Sequence, residues 1–281
     1  MKHWTILEIL NWTTDYFDKQ NIDNARLNAE LIIAHVLGYK RFDLYLNFDE
    51  PILPPKRELL KKYIVRRANH EPIQYILEET TFYGYTIRVN SNVLIPRPET
   101  EYLVELILVE NEGKRKILEI GTGSGAISIA LKNQHSDFDI VATDVSVAAL
   151  RIAEQNAKEN KANLMFVQSD LFESIAGKFD IIVSNPPYIS EEEYATLSKE
   201  VCEYEPRSAL VAPEEGFYYY RNILSEARSH LNENGLIYLE IGSQQAAKIK
   251  MLAEKYGYKI LALKKDLNGF DRILKLGMKY G

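Results

Sequence analysis

From residue 97 onward the chain repeats one pattern, a short apolar run rich in β-branched residues followed by a stretch with helical spacing. The helical stretch ETEYLVELILVEN (99–111) leads into KILEIG (116–121), and SGAISIALKNQ (124–134) leads into DIVATD (139–144). SVAALRIAEQNAKEN (146–160) then precedes LMFVQSD (164–170) and FDIIVSN (179–185), and EGFYYYRNILSEARSHLNENG (215–235) precedes LIYLEIG (236–242). Strands that read as continuous apolar runs are buried on both faces, and strands joined through helices run parallel. The pattern predicts an α/β fold with a doubly wound, mostly parallel, Rossmann-like sheet. KILALKKD (259–266) and RILKLG (272–277) bring the strands to seven. Only LNGFD separates these two, too little for a crossover helix, so they should pair as an antiparallel hairpin.

The first part of the chain reads differently. WTILEILNWTTDYF places Ile6, Leu7, Leu10 and Phe17 near one helical face. NIDNARLNAELIIAHVLGYK follows, with Asp23 placed to cap its start and Gly38 to end it. PPKRELLKKYIVRRANHEP opens on proline and meets Pro72 beyond its end. Three or four short helices make a small bundle over residues 1–75. TTFYGYTIRVN alternates around Gly84, a β-hairpin within a linker at 76–95, and the α/β domain occupies 96–281.

Bulk properties narrow the function. No apolar run approaches the roughly 18 residues of a membrane span, and Glu8, Asn11 and Asp15 interrupt the amphipathic N-terminus, unlike a signal sequence. A lone cysteine, Cys202, allows no intramolecular disulfide and suits the reducing cytoplasm. The net charge of −6 argues against dedicated nucleic-acid binding, which needs a basic surface. The five histidines are scattered without metal-ligand spacing, so no metal site is expected. The basic run Lys56, Arg57, Lys61, Lys62, Arg66 and Arg67 is a solvated helix face, or a contact surface for a partner protein or ribosomal RNA.

Chemistry concentrates at the strand ends. Gly121, Gly123 and Gly125 lie between a strand and a helix, where glycine lets a ligand approach the main chain. The spacing G-x-G-x-G differs from the dinucleotide fingerprint. Asp144 closes its strand nineteen positions after Gly125, where an acceptor for a ribose diol belongs. Asp170 closes the next, followed by Leu171 and Phe172, an acid beside apolar surface that suits an adenine ring. Either aspartate alone could be a helix cap; together with Glu119 and the glycines they mark the crevice where open α/β sheets bind ligands. The strand IIVS runs into Asn185, Pro186, Pro187 and Tyr188. Two prolines stop the ladder and stiffen the backbone, leaving carbonyls without a regular partner. By itself that is a strand stop; at the rim of this crevice it is a rigid polar lip.

With these residues in hand, the chain resembles the class I S-adenosylmethionine-dependent methyltransferases, and more narrowly the protein-(glutamine-N5) methyltransferases that act on peptide chain release factors. The resemblance rests on EPIQYIL, FYG, VLIPRPETEYLVE, LEIGTGSGAIS, ATDVSVAAL, SNPPYI, EPRSAL, LEIGSQQ and DLNGFDRIL. Departures are Glu78, where that family carries glycine, Asn69–His70 in place of a glycine-containing turn, and Glu119 for the commoner aspartate. The resemblance implies S-adenosylmethionine as cofactor, held by Glu119, Gly121, Thr122, Gly123, Ser124, Gly125, Asp144, Asp170, Leu171, Phe172 and Asn185. It further implies a substrate site at Asn185, Pro186, Pro187 and Tyr188, with Arg97 and Glu99 flanking the channel.

The expected reaction is methylation of the glutamine side-chain amide in the Gly-Gly-Gln motif of a release factor. The Asn185 side-chain oxygen and the Pro186 carbonyl would each accept one amide N–H, with Tyr188 packed on the flat amide. The N-terminal helices would dock the body of the release factor, and the enzyme would act as a cytoplasmic monomer. A ribosomal-protein glutamine, an exocyclic base amine, or a binding role without catalysis are the competing readings. FYYYRN is expected to be an apolar helix face rather than a stacking platform.

Overall fold

The computed structural model describes residues 4–113 and 115–279. Five helices come first: α1 (Ile6–Lys19), α2 (Ala25–Leu37), α3 (Arg41–Leu46), α4 (Pro54–Ala68) and α5 (Ile73–Leu77). The hairpin β1 (Glu79–Phe82) and β2 (Tyr85–Arg88) follows, then α6 (Pro98–Glu110), β3 (Lys116–Ile120), α7 (Ala126–Gln134), β4 (Asp139–Asp144), α8 (Val147–Glu159), β5 (Met165–Gln168) and β6 (Phe179–Ser184). After β6 come α9 (Glu191–Tyr194), α10 (Lys199–Tyr204) and the single turn α11 (Pro213–Gly216). The chain ends through α12 (Tyr218–Glu226), β7 (Leu231–Glu240), α13 (Ala246–Lys255), β8 (Tyr258–Lys265) and β9 (Asp271–Met278). No helix among the described residues is long and apolar enough to cross a membrane.

The chain divides into two units. The first contains α1 to α5 together with residues 198–204, which carry α10; the chain leaves the second unit after Leu197 and re-enters it at Glu205. Helix α1 starts at a capping box, with Glu8 N donating to Thr5 Oγ1 at 3.2 Å and Thr5 N to Glu8 Oε2 at 3.0 Å. Its buried face is Ile6, Ile9, Leu10 and Phe17, and Leu7 lies at its margin. Helix α2 begins one residue later than the sequence suggested. Asn24, at φ 52, is the cap, because asparagine tolerates the left-handed region, while the Asp23 carbonyl accepts from Asn28 Nδ2. Gly38, at φ 78, ends the helix as expected. His70 and Glu78 also sit at φ 66 and 62, which accounts for the glycines expected near these positions.

The basic run on α4 is not uniformly solvated. Arg67 is buried, its Nε donating to Asn28 Oδ1 at 2.8 Å, and its two other nitrogens to the Glu71 carbonyl at 2.8 Å and Glu200 Oε2 at 3.0 Å. Tyr204 adds a bond from its hydroxyl to the Asn69 carbonyl at 2.8 Å. Helix α10 is thus fastened to α4 by two side chains of its own.

The second unit is a seven-stranded sheet in the order β5-β4-β3-β6-β7-β9-β8. Strands β3 to β7 pair in parallel, while β9 runs antiparallel to both β7 and β8. Ile117, Leu118, Ile181, Ile182, Val183 and Leu239 are fully buried, as strands covered on both faces require. Register sets Ser184 opposite Ile120 on one side and Leu239 on the other, so β3, β6 and β7 end level. The hairpin expected as a linker belongs to this unit, held to α8 by Arg88 N donating to Asn156 Oδ1 at 2.7 Å.

Two segments differ from the sequence reading. The stretch expected to be helical through Gly235 ends α12 at Glu226, and LNENG already forms β7, drawn by pairing of Phe179 with Leu231. Helix α13 supplies the crossover that the sequence pattern lacked between β7 and β8.

Arg67→Ala is expected to destabilise the helical unit by about 1–3 kcal/mol, because buried Asn28 loses its charged donor. It should also open residues 198–204 to limited proteolysis; an unchanged cleavage pattern would show that Arg67 does not fasten α10.

Candidate active site

The level ends of β3, β4, β5 and β6 open on one cleft. Its floor is the loop after β3. Gly121 and Gly123 have φ of 73 and 55, and a Cβ placed on either would meet nothing within 4 Å, so these glycines leave open space against bare backbone. Gly125 serves packing instead, since its Cβ would stand 3.1 Å from that of Ala153 on α8. Thr122 and Ser124 are buried at the cleft wall. Thr122 Oγ1 donates to Glu119 Oε2 at 2.8 Å, and the Ser124 carbonyl accepts from Asn156 Nδ2 at 2.8 Å.

Glu119 is only 1% exposed, and Ser128 donates to the same carboxylate oxygen as Thr122. Its other oxygen, Oε1, is buried without a partner among the described residues. Burial pushes the carboxyl up to about 7, against the hydrogen bonds from Ser128 and Thr122. Asp144, at the end of β4, accepts from Gly123 N and Ser146 N, each at 2.9 Å, which locks the glycine loop to the neighbouring strand. Burial raises this carboxyl too, against those backbone bonds. Asp170 is exposed on the cleft wall beside Leu171. Phe172 does not line the cleft: it is buried, its ring stacked on His230 with centroids 4.8 Å apart. The wall there receives Tyr219 instead. Phe217 and Tyr220 of the same aromatic run are buried in the core, so FYYYRN is an apolar helix face with one aromatic turned to the cleft.

Asn185, Pro186 and Pro187 form the opposite lip. Their loop is pinned at both ends. Ser184 Oγ donates to the Ile120 carbonyl at 2.7 Å, and beyond the prolines Gln245 Nε2 donates to the Tyr188 carbonyl at 2.9 Å. Ile189 and Leu210 are joined by a backbone bond of 2.9 Å. Gly216 permits this packing, because a Cβ there would lie 2.2 Å from the Tyr188 oxygen. Between the pins, Asn185 Nδ2 donates to Thr100 Oγ1 at 3.2 Å. Among the described residues nothing donates to Asn185 Oδ1 or to the Pro186 carbonyl.

Thr100 in turn donates to Glu240 Oε2 at 2.6 Å, and both residues are buried. Burial raises the Glu240 carboxyl to about 7, opposed by the Thr100 hydrogen bond and by Arg272, while Glu99 raises it and Arg97 lowers it. Tyr188 lines a neighbouring recess with Arg272 and Gln245, and burial together with Glu240 pushes its hydroxyl to about 12. Arg97 is bound to Glu205 Oε1 at 2.6 Å, while Glu99 lies in the first turn of α6; Pro96 and Thr100, not these two, line the cleft. Thr100, Tyr219, Glu240, Gln245 and Gly216 were not singled out from sequence. The quoted motifs VLIPRPETEYLVE, FYYYRN and LEIGSQQ contain Thr100, Tyr219, Glu240 and Gln245 without marking them as site residues.

Residues 8–77 match the family model described as PrmC N-terminal domain, and residues 98–203 match the Methyltransferase small domain. A release factor glutamine methyltransferase of Rhodopirellula baltica is 38% identical, over 97% of this chain and 96% of its own. One of Geobacter sulfurreducens is 38% identical over 96% of both chains, and one of Lactococcus lactis 44% identical over 81% of this chain and 85% of its own. Among solved structures, a methyltransferase of Pyrococcus furiosus has a TM-score of 0.56 at 24% identity, over 70% of this chain and 90% of its own. The ribosomal protein L11 methylase of Lactobacillus delbrueckii has 0.52 at 23%, over 69% and 86%, a likeness of fold alone. With relatives this similar over nearly its whole length, the chain belongs to the release factor glutamine methyltransferase family.

Proposed function

We propose that the cleft holds S-adenosylmethionine and that the Asn185 loop presents to it the side-chain amide of the glutamine in a release factor's Gly-Gly-Gln motif. One observation carries this reading: two adjacent acceptors, Asn185 Oδ1 and the Pro186 carbonyl, stand unpaired on a loop fastened at both ends. The residues of the cleft fit the cofactor. The open side of Gly121 and Gly123 admits it against the backbone, and the unpaired Glu119 Oε1 suits its ammonium group. Asp144, already held by two backbone donors, has lone pairs left for a ribose diol, and Leu171 with Tyr219 offers apolar surface to the adenine.

When bound, S-adenosylmethionine supplies an electrophilic methyl group on a sulfonium. A glutamine amide nitrogen is a poor nucleophile, because its lone pair is delocalised into the carbonyl. Asn185 Oδ1 and the Pro186 carbonyl, each taking one N–H, fix that nitrogen and stabilise the positive charge it develops. The prolines hold the acceptors in place beforehand, so little reorganisation is required when substrate arrives. The proton released from the amide passes to solvent, so no strong base is required in the cleft. The enzyme works in the cytoplasm, where its lone thiol stays reduced.

The helical unit docks the body of the release factor. It carries a cleft of about 620 Å³ between α1 and α4, walled by Trp4, Trp12 and Tyr16 and edged by Arg57 and Lys61. Trp12 is 49% exposed, and Arg57 Nε is buried without an acceptor among the described residues. An exposed aromatic beside an unpaired cation is what a protein interface needs as its energetic centre.

Incubation of purified release factor with the protein and methyl donor should add the mass of one methylene to the peptide carrying Gly-Gly-Gln. Transfer confined to a ribosomal protein or to RNA would redirect the reading. Asn185→Ala should cut turnover by on the order of 10²–10³ while cofactor affinity stays within a few-fold. Asp144→Ala should lose about 1.5–3 kcal/mol of cofactor binding by calorimetry, more than tenfold.

Because burial raises Glu119 in the folded chain, its contribution to stability is complete below the ordinary carboxylate value of 4.5 and is lost as pH rises through about 7. Thermal stability without ligand should therefore fall across that window, and Glu119→Gln should flatten the fall. Trp12→Ala with Arg57→Glu should raise KM for release factor about tenfold or more without changing cofactor affinity; an unchanged KM would remove the α1–α4 cleft from docking.

A further inference from the structure

An asparagine amide has two faces of opposite character, and this active site uses only one. If Asn185 turned its amide over, Nδ2 would point an N–H at the substrate's own N–H groups, and the acceptor would be gone. Nothing in the loop itself decides the orientation, since Ser184 and Gln245 hold main-chain carbonyls rather than the Asn185 side chain. Among the described residues the side chain has one partner, Thr100 Oγ1, which is 4% exposed at the start of α6. A threonine hydroxyl could either give or take, because it carries one proton and two lone pairs. Glu240 removes that freedom. Its Oε2 lies 2.6 Å from Thr100 Oγ1, and in its ionised form a carboxylate only accepts, so the hydroxyl proton is then committed to Glu240 and a lone pair faces Asn185.

We propose that Glu240, acting through Thr100, is a positioning residue that fixes which end of the Asn185 amide meets the substrate. The inference rests on the reading of Asn185 as an amide acceptor. The order is Glu240 as acceptor, Thr100 as donor to it and acceptor from Asn185, and Asn185 Oδ1 as the end left for the glutamine. The parts come from three elements: the end of β7, the first turn of α6 and the residue after β6. Burial keeps water from substituting for the Thr100–Glu240 link, and the Tyr220 hydroxyl, donating to the Glu240 carbonyl at 3.0 Å, holds the main chain from which the carboxylate projects. Arg272 and Arg97 oppose the burial that raises this carboxyl to about 7, so the relay is in force at pH above that value.

Thr100→Val keeps the shape and removes the hydroxyl, Thr100→Ser keeps the hydroxyl, and Glu240→Gln gives Thr100 a neighbour that can donate. Steady-state methylation of release factor should show kcat reduced by about 10-fold or more in Thr100→Val and Glu240→Gln, on the scale of losing one preorganised polar group. KM for both substrates should stay within about 2–3-fold, and Thr100→Ser should restore kcat to within a similar factor. Equal losses in Thr100→Ser and Thr100→Val would mean packing alone and overturn the relay, as would kcat near wild type in both Thr100→Val and Glu240→Gln. If Thr100→Val fails to bind cofactor or fold, Glu240→Gln and Thr100→Ser decide. Asn185→Ala is measured alongside. A strong loss there with no loss in the other variants sinks the relay alone, whereas wild-type turnover in Asn185→Ala sinks the reading of Asn185 itself.

Discussion

The active site depends on the parallel register of three central strands. Because Ile120, Ser184 and Leu239 lie level across β3, β6 and β7, the Asn185 loop leaves the sheet between two strands that each carry a buried glutamate at or next to their end. A slip of one residue in β6 would turn Asn185 to the opposite face and separate Ser184 Oγ from the Ile120 carbonyl. The fully buried Ile181, Ile182 and Val183 make such a slip costly, so hydrophobic burial sets the position of the Asn185 amide.

The two glutamates show how one environment serves two tasks. Both are desolvated at the carboxyl edge of the sheet and both are raised to about 7, yet their hydrogen-bonding differs. Glu119 receives two hydroxyls on one oxygen and keeps the other unpaired, as a site for a ligand cation would. Glu240 takes one short bond from Thr100 and sits among Arg272, Arg97 and Glu99, where its charge is answered by protein alone. Burial supplies the polarity in each case, and the neighbours decide whether it is directed outward or inward.

Much of this was legible in the sequence. The strands after residue 97 announced themselves by apolar runs, and Glu119, Asp144 and Asp170 fell at the ends of three of them. The lip at Asn185 was marked by its prolines. What stayed hidden depends on pairs far apart in the chain. Thr100 and Glu240 are 140 positions apart, and Arg67 and Glu200 are 133 apart, so neither bond leaves a local pattern. Phe172 looked like an adenine wall because it follows an acid, but its ring found His230 in the core, and Tyr219 from a helix read only as apolar took the place at the cleft. The end of α12 was misplaced because LNENG carries no strand pattern of its own and is held by pairing with β6.

The excursion of residues 198–204 into the helical unit has a consequence for how the protein is made. A chain leaving the ribosome presents its first 78 residues early, and these include α1 to α5 with most of their apolar core. The partner that takes up Arg67 and the Asn69 carbonyl is not synthesised until residue 204 has emerged, after β3 to β6 are already available. The N-terminal unit can therefore begin folding first but is not completed until more than half of the second unit's chain has emerged, and the second unit in turn waits for β7 to β9 after Glu205.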